Sequence, residues 1–399
     1  MFELIAFVTV FLPFGLFVLK YVLFGIARQD SVRTLDASYC PTVTAILPCF
    51  NESAAVYDTI RSLRESDYPV ERFKILVVDD ASSDDSYKWI LKAAEDFPNV
   101  EAQRNAHNLG KSRTILRALG QIDADIVMTV DSDMLFHRDA VKQLMLTLSD
   151  PTIDLAGGVV GVRNANQNLL TQMQALVYVM SFRMLKMSEN WIGVVGCVAG
   201  CLFAIRRETM MKIKPMLDRR HWFGLAISDG EDRFLTHQVV LNGSKTEINL
   251  NSLCWTTVPT TLSGYFKQQL RWRRSGVRDL FYTMKRLHSH TRPSLSYLYV
   301  FLFNPVTTLT AMLGAIYILL NPLSWLSVVS LMMYIGAAFY LNLMAKKHDP
   351  SQAVENTFWV GLLGFAWSLV NLLLTIICLF SFHESSWGTR TKILGGSHG

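Results

Sequence analysis

Apolar and polar positions divide this chain into three regimes. Residues 1–27 are almost uncharged, with Glu3 and Lys20 the exceptions. Residues from about 40 to 250 mix short apolar runs with amphipathic stretches. From 296 to 382 charge nearly disappears. In the middle regime, the β-branched run 42–47 predicts a buried strand. Helical spacing follows over 52–65. A second strand over 73–78 ends in Asp79-Asp80, helices are predicted over 86–94 and 113–119, and a strand over 126–130 ends at Asp131. Strands alternating with helices imply an α/β domain with a mostly parallel sheet. Ligands of such sheets sit beyond the carboxyl ends of the strands, so the acidic residues converge on one edge. Past 140 the pattern predicts a helix, a strand over 155–162 and one long helix over 169–188. Three glycines then surround Cys197 within 193–200.

The flanking regimes read as membrane segments. Residues 4–26 lack a basic leader and a small-residue cleavage site, so they predict an anchor rather than a cleaved signal. Residues 264–287 place Arg271, Arg273, Arg274, Arg278, Lys285 and Arg286 among large apolar residues, a pattern for a helix at the membrane interface. Two spans follow, over 298–320 and 323–343. Lys285, Arg286 and Arg292 precede them and Lys346 and Lys347 follow, which puts both flanks and the soluble domain in the cytoplasm. The last apolar stretch, 358–382, is long enough to span. Gly361, Gly364, Ser368 and Asn371 interrupt it, so an interfacial or re-entrant segment is expected. The predicted divisions are an anchor (1–30), a cytosolic α/β domain (38–262), interfacial helices (263–292) and a C-terminal membrane region (293–399).

Composition agrees. Apolar residues make up 50% and charged residues 18%, and the formal net charge is +5. A small positive excess suits anionic headgroups. No basic tract is interleaved with aromatics, which excludes nucleic acid as a partner class. Of six cysteines, Cys197-x-x-x-Cys201 has no second pair beside it, so neither zinc nor disulfides are expected. Nothing calls for an obligatory protein partner.

Several strings carry candidate chemistry. Asp131-Ser132-Asp133 ends a strand; through a divalent cation, Mg2+ or Mn2+, such carboxylates can hold a departing diphosphate, or the pair is a solvated turn. Asp79-Asp80 can accept a uracil imide proton, with Asn51-Glu52 beside it, or it is a turn next to good capping residues. Gly110-Lys111 can approach a phosphate, or it is a turn with an exposed lysine. Glu231-Asp232 offers a general base for an attacking sugar hydroxyl, or simply acids at a helix start. Gln268, Arg271 and Trp272 share one helix face: Arg271 suits a pyrophosphate, Trp272 a sugar ring, or both face lipid headgroups.

In this order the strings resemble the membrane-embedded processive family 2 glycosyltransferases, which include hyaluronan, cellulose and chitin synthases and nodulation-type chitooligosaccharide synthases. The likeness runs over residues 42–390. Its discriminating string is Gln268-Gln269-Leu270-Arg271-Trp272. Residues 164–171 and Trp387-Gly388-Thr389-Arg390 are similar to bacterial hyaluronan synthases. Ala199-Gly200-Cys201 departs from the Ser-Gly-Pro of those enzymes, and a single anchor is closer to the chitooligosaccharide enzymes. The resemblance implies a Rossmann-like GT-A domain on an interfacial collar and a transmembrane bundle. It implies an inverting enzyme that polymerises UDP-sugars into a growing β-linked polysaccharide and extrudes it. Hyaluronan from UDP-N-acetylglucosamine and UDP-glucuronic acid is the leading product, chitooligosaccharide or another capsular β-glycan the alternative, and polyprenyl-phosphate glycosylation a further one. It also implies roles: Asp79 and Lys111 on UDP, Asp131 and Asp133 on nucleotide and metal, Asp232 as base, Gln268, Arg271 and Trp272 on pyrophosphate and acceptor, and Trp387, Thr389 and Arg390 in a gating loop over UDP.

Overall fold

The computed structural model describes Gly15 and residues 35–222, 225–226, 230–289 and 295–383. The predicted anchor, Gly15 aside, and Trp387, Thr389 and Arg390 lie outside them. The catalytic half opens with β1 (Val43–Cys49), α1 (Ala55–Arg64), β2 (Phe73–Asp79), α2 (Ser86–Asp96), β3 (Val100–Arg104), α3 (Lys111–Leu119) and β4 (Ile126–Val130). It continues with β5 (Met134–Phe136), α4 (Ala140–Leu148), β6 (Ile153–Val162), α5 (Leu169–Met180), α6 (Lys186–Trp191), β7 (Leu202–Arg206), α7 (Arg207–Asp218), the short pair β8 (His221–Trp222) and β9 (Leu225–Ala226), α8 (Glu231–Leu241) and β10 (Lys245–Thr256). Eight strands form one sheet in the order β3-β2-β1-β4-β7-β6-β10-β5. β1 to β4 are parallel, and β7 enters antiparallel between β4 and β6. Every residue of β1 and β4 is buried, as befits central strands covered by helices on both faces. Strand order runs outward from β1 to β3 on one side and begins again at β4 on the other. That reversal opens a crevice at the carboxyl ends of β1 and β4.

Two expectations needed refinement. The edge strand β3 was not predicted, because Val-Glu-Ala-Gln-Arg is half exposed and carries no apolar run. The single helix expected over 169–188 is interrupted by a π-helical turn, Ser181–Leu185, between α5 and α6. α5 starts from a capping box in which Asn168 and Thr171 bond each other's backbone.

Below the sheet lie α9 (Leu262–Ser289), α10 (Leu295–Leu320), α11 (Trp325–His348) and α12 (Thr357–Ser381). α11 and α12 are each long and apolar enough to cross a membrane. A second apolar core, with Leu170, Met173, Tyr265, Leu341 and Val360, joins them to α5 and α9. Polar clasps reinforce it: Gln352 accepts from Val162 N at 2.6 Å and donates to its carbonyl at 3.1 Å, and Trp255 Nε1 donates to Asp349 at 3.0 Å.

Within 358–382, α12 is one uninterrupted helix of 25 residues. The small and polar residues that interrupt its apolar pattern make contacts. A Cβ on Gly361 would lie 2.7 Å from Ile335 Cα, so glycine lets α11 and α12 touch. Asn371 accepts from Arg273 at 2.8 Å, and Arg274 and Arg278 of α9 reach Ser381 and the Phe382 carbonyl. α12 therefore runs alongside α9, with both ends tied to the catalytic half; at its start, Asn356 N donates to Gln172.

Gly361→Leu is expected to push α11 and α12 apart and cost about 1–3 kcal/mol. Gly336→Leu, at a site with nothing within 4 Å of its Cβ, is the matched control. Thermal unfolding of the two detergent-solubilised variants checks this; equal transition temperatures would contradict the packing role.

Candidate active site

The crevice is shaped by two loops, after β1 and after β2, whose backbones are held in unfavourable conformations. Asn51, Ser53 and Ala81 all have positive φ (55°, 49° and 61°) without being glycine. Such strain persists only where surroundings enforce it. Here the enforcement is a web of short bonds across the ends of β1 and β2. Asn51 N donates to Ser82 Oγ at 2.9 Å, Ser83 N to Asn51 Oδ1 at 2.9 Å, and Glu52 N and Ser53 N to Ser86 Oγ at 2.8 Å. Glu52 also accepts from Ser132 Oγ at 3.0 Å, which ties this web to the Asp131-Ser132-Asp133 turn.

Asp79 and Asp80 lie inside these loops rather than on their surface. Asp79 is fully buried, pairs with Arg104 Nε at 2.9 Å and accepts from Ser82 N. Asp80, 2% exposed, accepts from Asn105, Thr114, Leu109 N and Gly110 N at 2.7–2.9 Å. In this structure both carboxylates bond donors of the surrounding loops and so shape them. Asp80 gathers the Asn105–Gly110 loop, and that loop delivers Lys111. Gly110 has φ 82°, a value for which glycine is the natural residue.

Lys111 is not the exposed lysine of a simple turn. It is 9% exposed, and its ammonium lies 2.6 Å from Asp131 and 3.2 Å from Glu231. A Cβ on Gly200 would sit 3.3 Å from Lys111 Nζ and 3.4 Å from Asp232 Oδ2. Lys111 therefore occupies the centre of the acidic cluster instead of pointing at solvent. Burial alone would lower its pKa; Asp131 and Glu231 outweigh burial and hold it above the ordinary lysine value. Asp232 is oriented by two backbone N–H groups, Gly200 at 3.0 Å to Oδ2 and Arg233 at 2.8 Å to Oδ1. The turn before it uses Gly230 at φ 69°.

On the opposite wall, α9 carries Gln268, Arg271 and Trp272. Gln268 Oε1 and Arg271 Nε are buried and have no hydrogen-bond partner among the described residues. Buried polar atoms are rarely left so, and phosphate or sugar hydroxyls would satisfy them. Trp272 is 40% exposed, a flat apolar face turned outward. Tyr178 of α5, overlooked in the sequence, stands between the two walls. Burial first, then Cys201 and Asp133, push its hydroxyl well above the tyrosine range, and Arg271 opposes them. Gly200, Ser275 and Asp279 were overlooked too. For the last two, the four-residue spacing from Arg271 was the available signal.

A divalent cation of the Mg2+ or Mn2+ type wants oxygen donors. Among the described residues no group of three or more His, Cys, Asp or Glu side chains could hold one alone. Asp131 is engaged by Lys111, while Asp133 is an exposed carboxylate at the crevice mouth. One carboxylate completed by diphosphate oxygens is a usual arrangement for Mg2+. The residues thus fit a cation that arrives with a nucleotide rather than a resident one.

Comparison with known proteins places this geometry. A hyaluronan synthase from Streptococcus pyogenes is 27% identical over 357 residues, 88% of this chain and 84% of that protein. An N-acetylglucosaminyltransferase from Bradyrhizobium diazoefficiens is 30% identical over 249 residues, 62% of this chain and 51% of that protein. The solved mannosyltransferase PcManGT from Pyrobaculum calidifontis, in complex with GDP-Man and Mn2+, superposes with a TM-score of 0.65 at 19% identity, covering 98% of this chain and 100% of that one. That likeness shows the GT-A fold. Residues 41–275 match the family described as "Glycosyltransferase like family 2"; the chain belongs to that family and is an enzyme, a glycosyltransferase that uses nucleotide-sugar donors.

Proposed function

We propose that this enzyme is a membrane-bound, processive, inverting synthase. It adds sugars from UDP-linked donors to a growing β-linked polysaccharide and passes the chain through its own membrane helices. Its catalytic half faces the cytosol. The observation that carries the reading is the joining of the acidic cluster around Lys111 to α9, whose Gln268-x-x-Arg271-Trp272 face forms the opposite wall. UDP-N-acetylglucosamine is the proposed donor in either case, in keeping with the match to an N-acetylglucosaminyltransferase. The longer match, to a hyaluronan synthase over 88% of the chain, favours a product that also takes glucuronic acid. Chitooligosaccharide is the second reading, supported by the 30% match to an N-acetylglucosaminyltransferase.

In the proposed reaction Asp232 accepts the proton of the acceptor hydroxyl as that oxygen bonds to the anomeric carbon. The bond from that carbon to the UDP oxygen breaks, and the pair of electrons leaves with UDP. The N–H groups of Gly200 and Arg233 hold the Asp232 carboxylate in place for this. Glu231, bound to Lys111, keeps the ammonium fixed beside it. Arg271 and Gln268 would take the diphosphate, and Trp272 the sugar at the acceptor end. A cation held by Asp133 would supply charge to stabilise the departing diphosphate. The resemblance assigns Trp387-Gly388-Thr389-Arg390, outside the described residues, to covering UDP.

Purified protein given single UDP-sugars and then pairs decides the product. Polymer only from UDP-N-acetylglucosamine plus UDP-glucuronic acid identifies hyaluronan; oligomer from the first alone identifies the second reading. Transfer of a single sugar to a polyprenyl phosphate, with no polymer, would sink both.

Asp232→Asn is expected to lower turnover by about two to four orders of magnitude with UDP affinity retained. Glu231→Gln should lose less, because it removes a partner of Lys111 and not the base. The reverse ranking would move the base to Glu231.

Asp133→Asn is expected to abolish the dependence of UDP affinity on Mg2+ or Mn2+. Titration calorimetry with and without the cation reads this directly. Cation-dependent affinity equal to that of the parent would remove Asp133 from the metal site.

A further inference from the structure

The face of α9 that carries Arg271 continues, four residues at a time, to Ser275 and Asp279, and there it meets the first turn of α8. Gly230 packs so closely on Ser275 that an added Cβ would lie 1.9 Å from its Oγ. Arg233, the residue after Asp232, extends to Asp279 with Nε 3.5 Å from Oδ2. Gly276 leaves room for that guanidinium; a Cβ there would be 3.6 Å from Arg233 NH1. Asp279 is 5% exposed, and its Oδ2 has no hydrogen bond, only the approach of Arg233. The other charged groups facing it are Arg220 at the end of α7, Asp232 itself, and Arg278 on α9. Burial pushes the Asp279 carboxyl up to about 7 against the pull of Arg233 and Arg220.

A charge buried this deeply at 3.5 Å from its partner gives poor net stability. Its place is informative: Arg233 shares the first turn of α8 with Asp232, and Asp279 shares its helix with Gln268 and Arg271. We propose that Arg233 and Asp279 are positioning residues, a pair through which α9 sets the orientation of the first turn of α8 and hence the location of the Asp232 carboxylate. This rests on the reading of Asp232 as the base. The pair touches neither donor nor acceptor. It fixes the base relative to the wall that holds them, so that both walls of the crevice move as one.

The test uses purified full-length enzyme. UDP release from UDP-N-acetylglucosamine, alone or with UDP-glucuronic acid, gives kcat and donor KM, and calorimetry gives UDP affinity. Arg233→Gln and Asp279→Asn are each expected to lower kcat roughly tenfold to a hundredfold, the cost of a misplaced group. Donor KM and UDP affinity should stay within about twofold. The double variant should be no slower than the slower single one, since either change breaks the same link. Parent kcat in either single variant, losses that multiply in the double variant, or a parallel loss of UDP affinity overturns the proposal. If the neutral variants do not purify, Arg233→Lys and Asp279→Glu carry the test. They are expected to lower kcat several-fold at unchanged donor KM, and parent kcat in both overturns it. Asp232→Asn is measured alongside. An inactive Asp232→Asn with fully active pair variants removes the positioning role alone, whereas an active Asp232→Asn removes the base assignment itself.

Discussion

One buried ammonium organises the catalytic edge. Lys111 sits where three carboxylates arrive from distant parts of the chain: Asp131 from the end of β4, and Glu231 and Asp232 from the start of α8. Without a cation those acids would repel one another in a half-buried crevice. Breaking a buried pair by removing one partner costs about 3–5 kcal/mol, because the remaining charge is stranded. Lys111 thus makes an acidic site affordable before any substrate or cation arrives. Asp133, two residues beyond Asp131, is exposed.

The lysine is itself held in place by an acid. Asp80 collects four donors from the loop that runs up to Gly110, and Gly110 turns the chain so that Lys111 opens α3. Asp79 does similar work with Arg104 and Ser82. The two neighbouring acids at the end of β2 therefore both hold loop shape. The acids at the end of β4 and the start of α8 carry the candidate chemistry. The strained backbone at Asn51, Ser53 and Ala81 belongs to the same scaffold, since its cost is met by side-chain bonds between loops rather than by any one loop alone.

The fold was legible in the sequence wherever a local pattern decides it. β1, β2 and β4 are runs of mostly buried β-branched and aliphatic residues, and β2 and β4 stop at an acidic residue. α9 showed its basic stripe, and the acids Glu231 and Asp232 do open a helix. What stayed hidden depends on partners far along the chain. The strings Asp79-Asp80 and Gly110-Lys111 contain the right chemical groups, but nothing local reveals that Arg104, Asn105 and Thr114 consume the first, or that Asp131 and Glu231 consume the second. The glycines around Cys197 were visible, yet only the fold shows Gly200 pressed against Lys111 and Asp232. Gly361 and Asn371 looked like weaknesses of an isolated apolar stretch. Against α11 and α9 they are a close packing point and the acceptor for Arg273.

α9 links these observations. Along one helix it presents Gln268 and Arg271 to the crevice, Ser275 and Asp279 to the turn that carries Asp232, and Arg273, Arg274 and Arg278 to α12. A soluble glycosyltransferase has no need to bind its catalytic turn to an apolar helix. The processive synthase proposed above would have such a need, because the acceptor end would have to return to the same distance from Asp232 after every addition. A single stiff helix that contacts base turn, crevice wall and apolar helix meets that requirement without a separate hinge. The polar groups of α12 on that side are then explained by what they grip: Arg273, Arg274 and Arg278 of α9.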